Sequence, residues 1–418
     1  MVVESLNRSQ ILKPFVPELA VSWVREWPGV RDLQVPGSLA FVDISGFTSL
    51  TERLSKKGKI GAEELKDILD DVFGQLLDVA YADGAGLLKW GGDAVLLLFH
   101  GEDHATRACH AAYGMRRVLR RVGRVRASVG KVNLKMSVGI HSGVFDLFLV
   151  GEDHLELIIT GPGATKTALL EGVAEAGEVV VSPATADLLR PSLVGDAKED
   201  GFLLAAEPRV QTFELPDEPG LEELDLSRCV PAAIREHLLE DSREPEHRQV
   251  TIAFIEFSGT DAMLATKGSE WMAAELHSLL VSVQQACRQH SVNFFQTDIS
   301  KDGGKIVLLA GAPRTAGEDE ERMLLAARQV MDGGSALPLR IGINSGYVFT
   351  GDFGPAYRRT YDIKGDAINL AARVMGKART GEIVATPPVT SRSQTVFEIQ
   401  ELEPFLVKGK KLPIHASI

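Results

Sequence analysis

Cysteine is scarce: Cys109, Cys229 and Cys287 are the only three in 418 residues, and none forms a CxxC pair. That leaves no disulfide framework and no thiolate zinc site. The ten histidines contain one HxxxH pair, His100 and His104, and no HxH spacing. No apolar run is long enough to span a bilayer, and the first residues lack the basic-then-apolar order of a signal peptide. The expectation is a cytoplasmic protein with no transmembrane segment. Positive charge is also short: the formal net charge is -12, which argues against nucleic acid as the main partner. One basic cluster runs the other way, from Arg116, Arg117, Arg120 and Arg121 to Arg124, Arg126 and Lys131. It reads as a solvated helix face and loop, with an anionic partner as the alternative.

What the chain has in abundance is itself. GEVVVSPAT from Gly177 returns as GEIVATPPV from Gly381, and KMSVGIHSGVF from Lys135 as LRIGINSGYVF from Leu339. KWGGDAVLLLF from Lys89 resembles KDGGKIVLLAG from Lys301, and FVDISG from Phe41 resembles FIEFSG from Phe254. Four matches in one order at a period of half the chain mean a tandem pair of domains, not a solenoid. We divide the chain into an N-terminal segment (1–36), a first domain (37–215), an acidic, proline-bearing linker (216–247) and a second domain (248–418). Within each copy the order is strand, helix, helix, strand hairpin, helix, strand, strand, helix, strand. The fold class is α+β, with helices on one face of a mostly antiparallel sheet.

Asp43 ends an apolar run just before Ser45-Gly46. It suits two roles: a cap for a helix starting near Phe47, or half of a metal site. A partner stands in the hairpin turn KWGGD, where Asp93 follows two glycines. If the two strands are neighbours, both acids reach one sheet edge. Two such acids suit magnesium, which takes few protein carboxylates and leaves positions for phosphate oxygens. Two unrelated turn acids are the alternative.

FVDISGFTSLTE, KWGGDAVLLLF and YDIKGDAINLAAR together resemble the class III nucleotidyl cyclases, and the tandem arrangement is most similar to the bicarbonate-regulated soluble adenylyl cyclases. The resemblance implies two ferredoxin-like (βαββαβ-based) domains in a pseudo-two-fold face-to-face pair, with sites at their interface. It implies that Asp43, Asp93 and the backbone carbonyl of Ile44 bind two Mg2+ (or Mn2+) ions. In the second copy Glu256 stands for Asp43 and Lys305 for Asp93, and a lysine there would repel a cation. That copy carries the complementary set implied by the resemblance: Lys301 and Asp362 for the base, Asn369 for the ribose, Arg373 for the α-phosphate, and Lys408 for the triphosphate, with Lys410 as a second candidate. The first copy has Ile158, Thr165 and Leu169 opposite Asp362, Asn369 and Arg373.

One competent site and one degenerate pseudo-site follow. The expected substrate is ATP, since a lysine suits the adenine ring-nitrogen acceptor and an aspartate its exocyclic amine. The expected active form is the intramolecular domain pair as a monomer. At the pseudo-site, Lys89 matches a lysine beside the family's bicarbonate pocket. The arginine that accompanies it falls opposite Ala168, with Lys166 close by, so bicarbonate is a candidate regulator. A guanylyl cyclase and a catalytically inactive nucleotide or anion sensor are the competing readings.

Overall fold

The computed structural model describes residues 8–211, 213, 224–240, 244–407 and 412–418. A helix, α1 (Glu18–Glu26), precedes the long strand β1 (Asp32–Ser45). Gly46 then turns the chain sharply with φ +107°, a conformation that favours glycine, and α2 (Phe47–Ser55) begins at once. The amphipathic stripe of α3 (Lys59–Ala82) buries Leu65, Leu69, Val72, Phe73, Leu76 and Leu77, as its 3.6-residue period requires. The hairpin β2 (Ala85–Gly91) and β3 (Ala94–His100) turns through Gly92 at φ +72°. Next come α4 (His104–Val122), which holds Arg116 to Arg121, then β4 (Lys135–Val150), β5 (Glu156–Thr160), α5 (Pro162–Val173) and β6 (Val179–Val181). A hairpin of β7 (Val194–Lys198) and β8 (Gly201–Leu204) extends this first sheet, whose order is β2-β3-β1-β4-β6-β8-β7 with β5 on β4.

After the short linker helix α6 (Ala232–Leu238) the plan repeats. The elements are β9 (Glu246–Ser258), α7 (Thr260–Lys267), α8 (Ser269–His290), β10 (Asn293–Ser300), β11 (Gly303–Ala310), α9 (Asp319–Asp332), β12 (Leu339–Phe353), β13 (Thr360–Lys364), α10 (Asp366–Met375) and β14 (Ile383–Ala385). The sheet order is β10-β11-β9-β12-β13, with β14 parallel to β12. The other ladders of the second sheet are antiparallel, so the α+β expectation describes the architecture.

Each half has its own core between sheet and helices, around Phe73 and Phe99 in the first and Phe257 and Leu280 in the second. A third apolar cluster is shared. It joins Leu39, Leu88 and Leu96 of the first sheet to Ile252, Phe295 and Val307 of the second, and is closed by Trp23 of α1 and Ile234 of α6. Burial of this seam holds the halves face to face.

The registers correct one detail of the internal alignment. Asp43 lies opposite Ala94, whereas Glu256 lies opposite Lys305. Lys305 therefore occupies the place of Ala94, and Gly304 that of Asp93. The second hairpin is longer as well: the first stops pairing at Gly91↔Ala94, while the second continues through Ile299↔Gly304 to Ser300↔Gly303.

Candidate functional site

Sheet pairing brings the two acids together. With β3 antiparallel to β1, Asp43 ends one strand and Asp93 sits in the turn leading into its neighbour, and the Ile44 N–H donates to the Asp93 carbonyl at 3.0 Å. Burial pushes the Asp93 carboxyl above the usual carboxylate range, and Lys364 only partly opposes it. A buried carboxylate with too little positive charge around it is a cation seeker. Glu171 of α5 adds to the negative field: it accepts from Ser137 at 3.0 Å, and its own carboxyl is pushed up by burial, with Asp93 adding to the rise. Asp43, Asp93 and the strand end at Ile44 are a donor set that fits a hard divalent ion.

Asp93 faces a cavity between the halves. Its walls combine Phe47, Gly91, Gly92 and Asp93 from the first half with Gln296, Asp298, Lys364, Ile368 and Asn369 from the second. Asn369 sits mid-helix in α10 and caps nothing. Arg373, one turn on along the same face, is half-buried and has no hydrogen bond or ion pair to any described residue. Asp362 is fully buried in β13, where it accepts from the Ile363 N–H at 2.7 Å and pairs with Lys364 Nζ at 2.5 Å. Lys364 also donates to the Gly92 carbonyl of the opposite half.

Lys301 lies elsewhere. It is exposed, in the turn of the longer second hairpin, and does not line the cavity. Two extra strand pairs carry it about 7 Å beyond the level of the first copy's turn. The second-half residue that occupies the register of Lys89 is Gln296, since Lys89 faces Leu96 as Gln296 faces Val307. Lys408 lies outside the described residues, as does Lys410.

The pseudo-symmetric location is closed by the protein itself. The Thr165 hydroxyl donates to Asp261 at 3.1 Å and accepts from the Asp302 N–H at 2.9 Å, while Thr160 and Thr260 share a hydroxyl bond of 2.7 Å. Glu256 is held by Arg340 and by the Ser300 hydroxyl at 2.9 Å. Lys166 pairs with Asp200 at 3.6 Å, apart from Lys89. Lys89 is buried in the seam, donating to Glu156 and to Thr297, each at 2.6 Å. Burial alone would raise the Glu156 carboxyl, but Lys89 and His154 outweigh it and hold the group at about 2. Glu156, Lys364, Gln296, Asp298 and Glu171 are the residues that motif reading passes over. For Gln296 a signal was present: LLKWG and FFQTD align once the apolar runs that follow them are matched.

Removing Glu156 alone would strand a buried ammonium, so Glu156→Ala is expected to cost about 3–5 kcal/mol of stability. The double change Lys89→Met with Glu156→Leu should recover most of it. Urea unfolding of the three proteins measures both values, and a single variant as stable as wild type would remove this pair from the seam's energetics.

The adenylate and guanylate cyclase catalytic domain family matches residues 35–215 and 243–416. Adenylate cyclase type 10 of Mus musculus is 25% identical over 411 residues, covering 86% of this chain and 25% of that protein. The Homo sapiens counterpart is 24% identical over 387 residues, covering 81% of this chain and 24% of that protein. The chain thus spans about a quarter of the length of these relatives. Among solved structures, a class III adenylyl cyclase-like ATP-binding protein from Pseudomonas aeruginosa superposes with a TM-score of 0.60 at 13% identity, covering 87% of this chain and 86% of that one. Its agreement extends over both halves, so the paired fold is shared. With both segments of the chain matched and the paired architecture in common, this protein belongs to the adenylate and guanylate cyclase catalytic domain family.

Proposed function

We propose that the chain is an adenylyl cyclase that converts ATP to cyclic AMP and pyrophosphate at one site between its halves. The observation that carries this reading is the composite cavity: the acidic hairpin of one half faces the Asn369 face of α10 in the other, while the mirror location is sealed by Thr165, Asp261 and Asp302. Its relatives named adenylate cyclase type 10 support the same activity.

In the proposed reaction the ATP 3′-oxygen bonds to the α-phosphorus, the α–β bridging P–O bond breaks, and pyrophosphate leaves with that electron pair. The hydroxyl proton goes to Asp43 or to solvent. Divalent ions, Mg2+ or Mn2+ and two by analogy with the family, lower the hydroxyl pKa and neutralise the triphosphate when bound. Asp43, Asp93 and the Ile44 carbonyl hold them. Asn369 orients the ribose, and Arg373 meets the charge that grows on the α-phosphate. Lys408 remains the candidate for the triphosphate tail. No helix among the described residues is long and apolar enough to cross a membrane, and the domain pair is proposed to act as a monomer.

Bicarbonate would meet an ammonium already neutralised by Glu156 and would share the cavity with that carboxylate, which repels it. Wild-type turnover is therefore expected to change less than about twofold on adding bicarbonate, a shift worth under ~0.5 kcal/mol. The deciding assay incubates the chain with ATP and manganese or magnesium, with and without bicarbonate, and measures cyclic AMP and pyrophosphate. Equal amounts of both products support the reading. Cyclic GMP formed faster from GTP would make it a guanylyl cyclase. Nucleotide binding with no product would make it an inactive sensor.

A further inference from the structure

The Lys364 ammonium has three donors. One goes to Asp362 and one crosses the seam to the Gly92 carbonyl, with the Phe353 ring centroid 5.5 Å from the ammonium; the third has no hydrogen-bond acceptor among the described residues, and Lys364 lines the cavity. Its side chain is 11% exposed, against 0% for Asp362 behind it. Lys364 lines the cavity and Asp362 does not, so a base in the cavity meets Lys364. Lys301, the cation that the family resemblance implies, is exposed on the hairpin tip and does not border the cavity.

We propose that Lys364 is the base-reading cation of this site, that Asp362 is the positioning residue that aims it, and that its bond to Gly92 ties base recognition to the metal-binding hairpin. The inference rests on the adenylyl cyclase reading and names how that site selects its substrate. The third N–H donates to the adenine ring nitrogen, which is an acceptor. Guanine carries a hydrogen on the equivalent nitrogen and so presents donor to donor. Gln296, which lines the same cavity, can accept from the adenine amine through its amide oxygen. Because the Gly92 carbonyl immediately precedes Asp93, a shift of Lys364 on base binding moves the turn that carries the metal ligand. Binding of the correct base and closure of the hairpin are then one event.

The test uses the full chain with 3′-deoxy-ATP and 3′-deoxy-GTP, which bind but cannot cyclise, in equilibrium titrations of wild type, Lys364→Met, Lys364→Arg and Lys301→Ala. Wild type and Lys301→Ala should share one adenine preference. Lys364→Met should narrow it by roughly 5- to 150-fold, equivalent to ~1–3 kcal/mol for one buried mispaired group, and Lys364→Arg should restore part of it. Equal weakening of both nucleotides in Lys364→Met, which a purely structural clamp would give, overturns the proposal. So does a wild type without adenine preference, or a preference that moves with Lys301→Ala. If Lys364→Met does not fold, Lys364→Gln is titrated by the same criterion. Binding ratios do not depend on turnover: a wild type that makes no cyclic AMP rejects the cyclase reading and leaves this test standing.

Discussion

Asp93→Ala is expected to abolish cyclic AMP formation, and Asp43→Ala to do the same. In the proposed reaction the divalent charge that these residues would hold is worth several kcal/mol as negative charge concentrates on phosphate oxygens, so a loss of about 10³-fold or more is expected. The second-half counterpart gives the contrast. Glu256 is already committed to Arg340 and Ser300, so Glu256→Ala should keep most of the activity. A stability readout separates loss of metal from loss of fold. The Asp93 carboxyl is raised in the folded state, first by burial. A raised acid binds its proton more tightly when folded than when unfolded, so above its ordinary range the ionised form costs stability. Without metal, Asp93→Asn should therefore melt at or above the wild-type temperature. Adding Mg2+ or Mn2+ should raise the wild-type melting temperature by mass action and leave Asp93→Asn almost unmoved. Activity within tenfold of wild type in either alanine variant at saturating metal would remove both residues from the site.

What the sequence made legible was whatever depends on local pattern and on repetition. The stripe from Leu65 to Leu77 forms the buried face of α3. The glycines before Asp93 make the tight turn, and pairing β1 with β3 follows once the duplicated runs are read as one sheet. Given that pairing, Asp43 and Asp93 fall at one edge. Lys301 shows where such reasoning stops. Matching a lysine and a glycine pair aligned KWGG with KDGG, but a hairpin can grow by two residue pairs without changing its face or its turn chemistry. The apolar strands, not the turns, keep the register, and they put Gln296 opposite the role of Lys89. Glu156 was illegible for another reason. It stands in an apolar run, HLELII, and only the fold brings Lys89 and Thr297 against it from two other strands. An ion pair made across a domain seam has no spacing to read.

Arg373 carries the second large effect. On a helix an arginine pairs best with an acid three or four residues away, and the acid on α10, Asp366, lies two turns from Arg373. The Arg373 guanidinium has no partner among the described residues; it is half-buried and stands one turn beyond Asn369. A half-buried, unpaired cation costs stability unless something anionic arrives. In the proposed reaction the arrival at this position is the α-phosphate, whose charge is greatest as the 3′-oxygen and the departing pyrophosphate share the phosphorus. An interaction that strengthens in the transition state lowers kcat when removed and leaves KM nearly unchanged. Arg373→Ala should therefore reduce kcat by about 10²–10³-fold with KM for ATP within a few-fold. Arg373→Lys should recover only part of the loss, because a point charge cannot span two phosphate oxygens as a planar fork does. Asn369→Ala, which loosens the ribose instead, should fall between these variants and wild type. Steady-state kinetics of the four proteins at saturating metal distinguishes the roles: a rise in KM with unchanged kcat in Arg373→Ala would mean that the arginine grips ground-state ATP and that the charge of the reaction is met elsewhere.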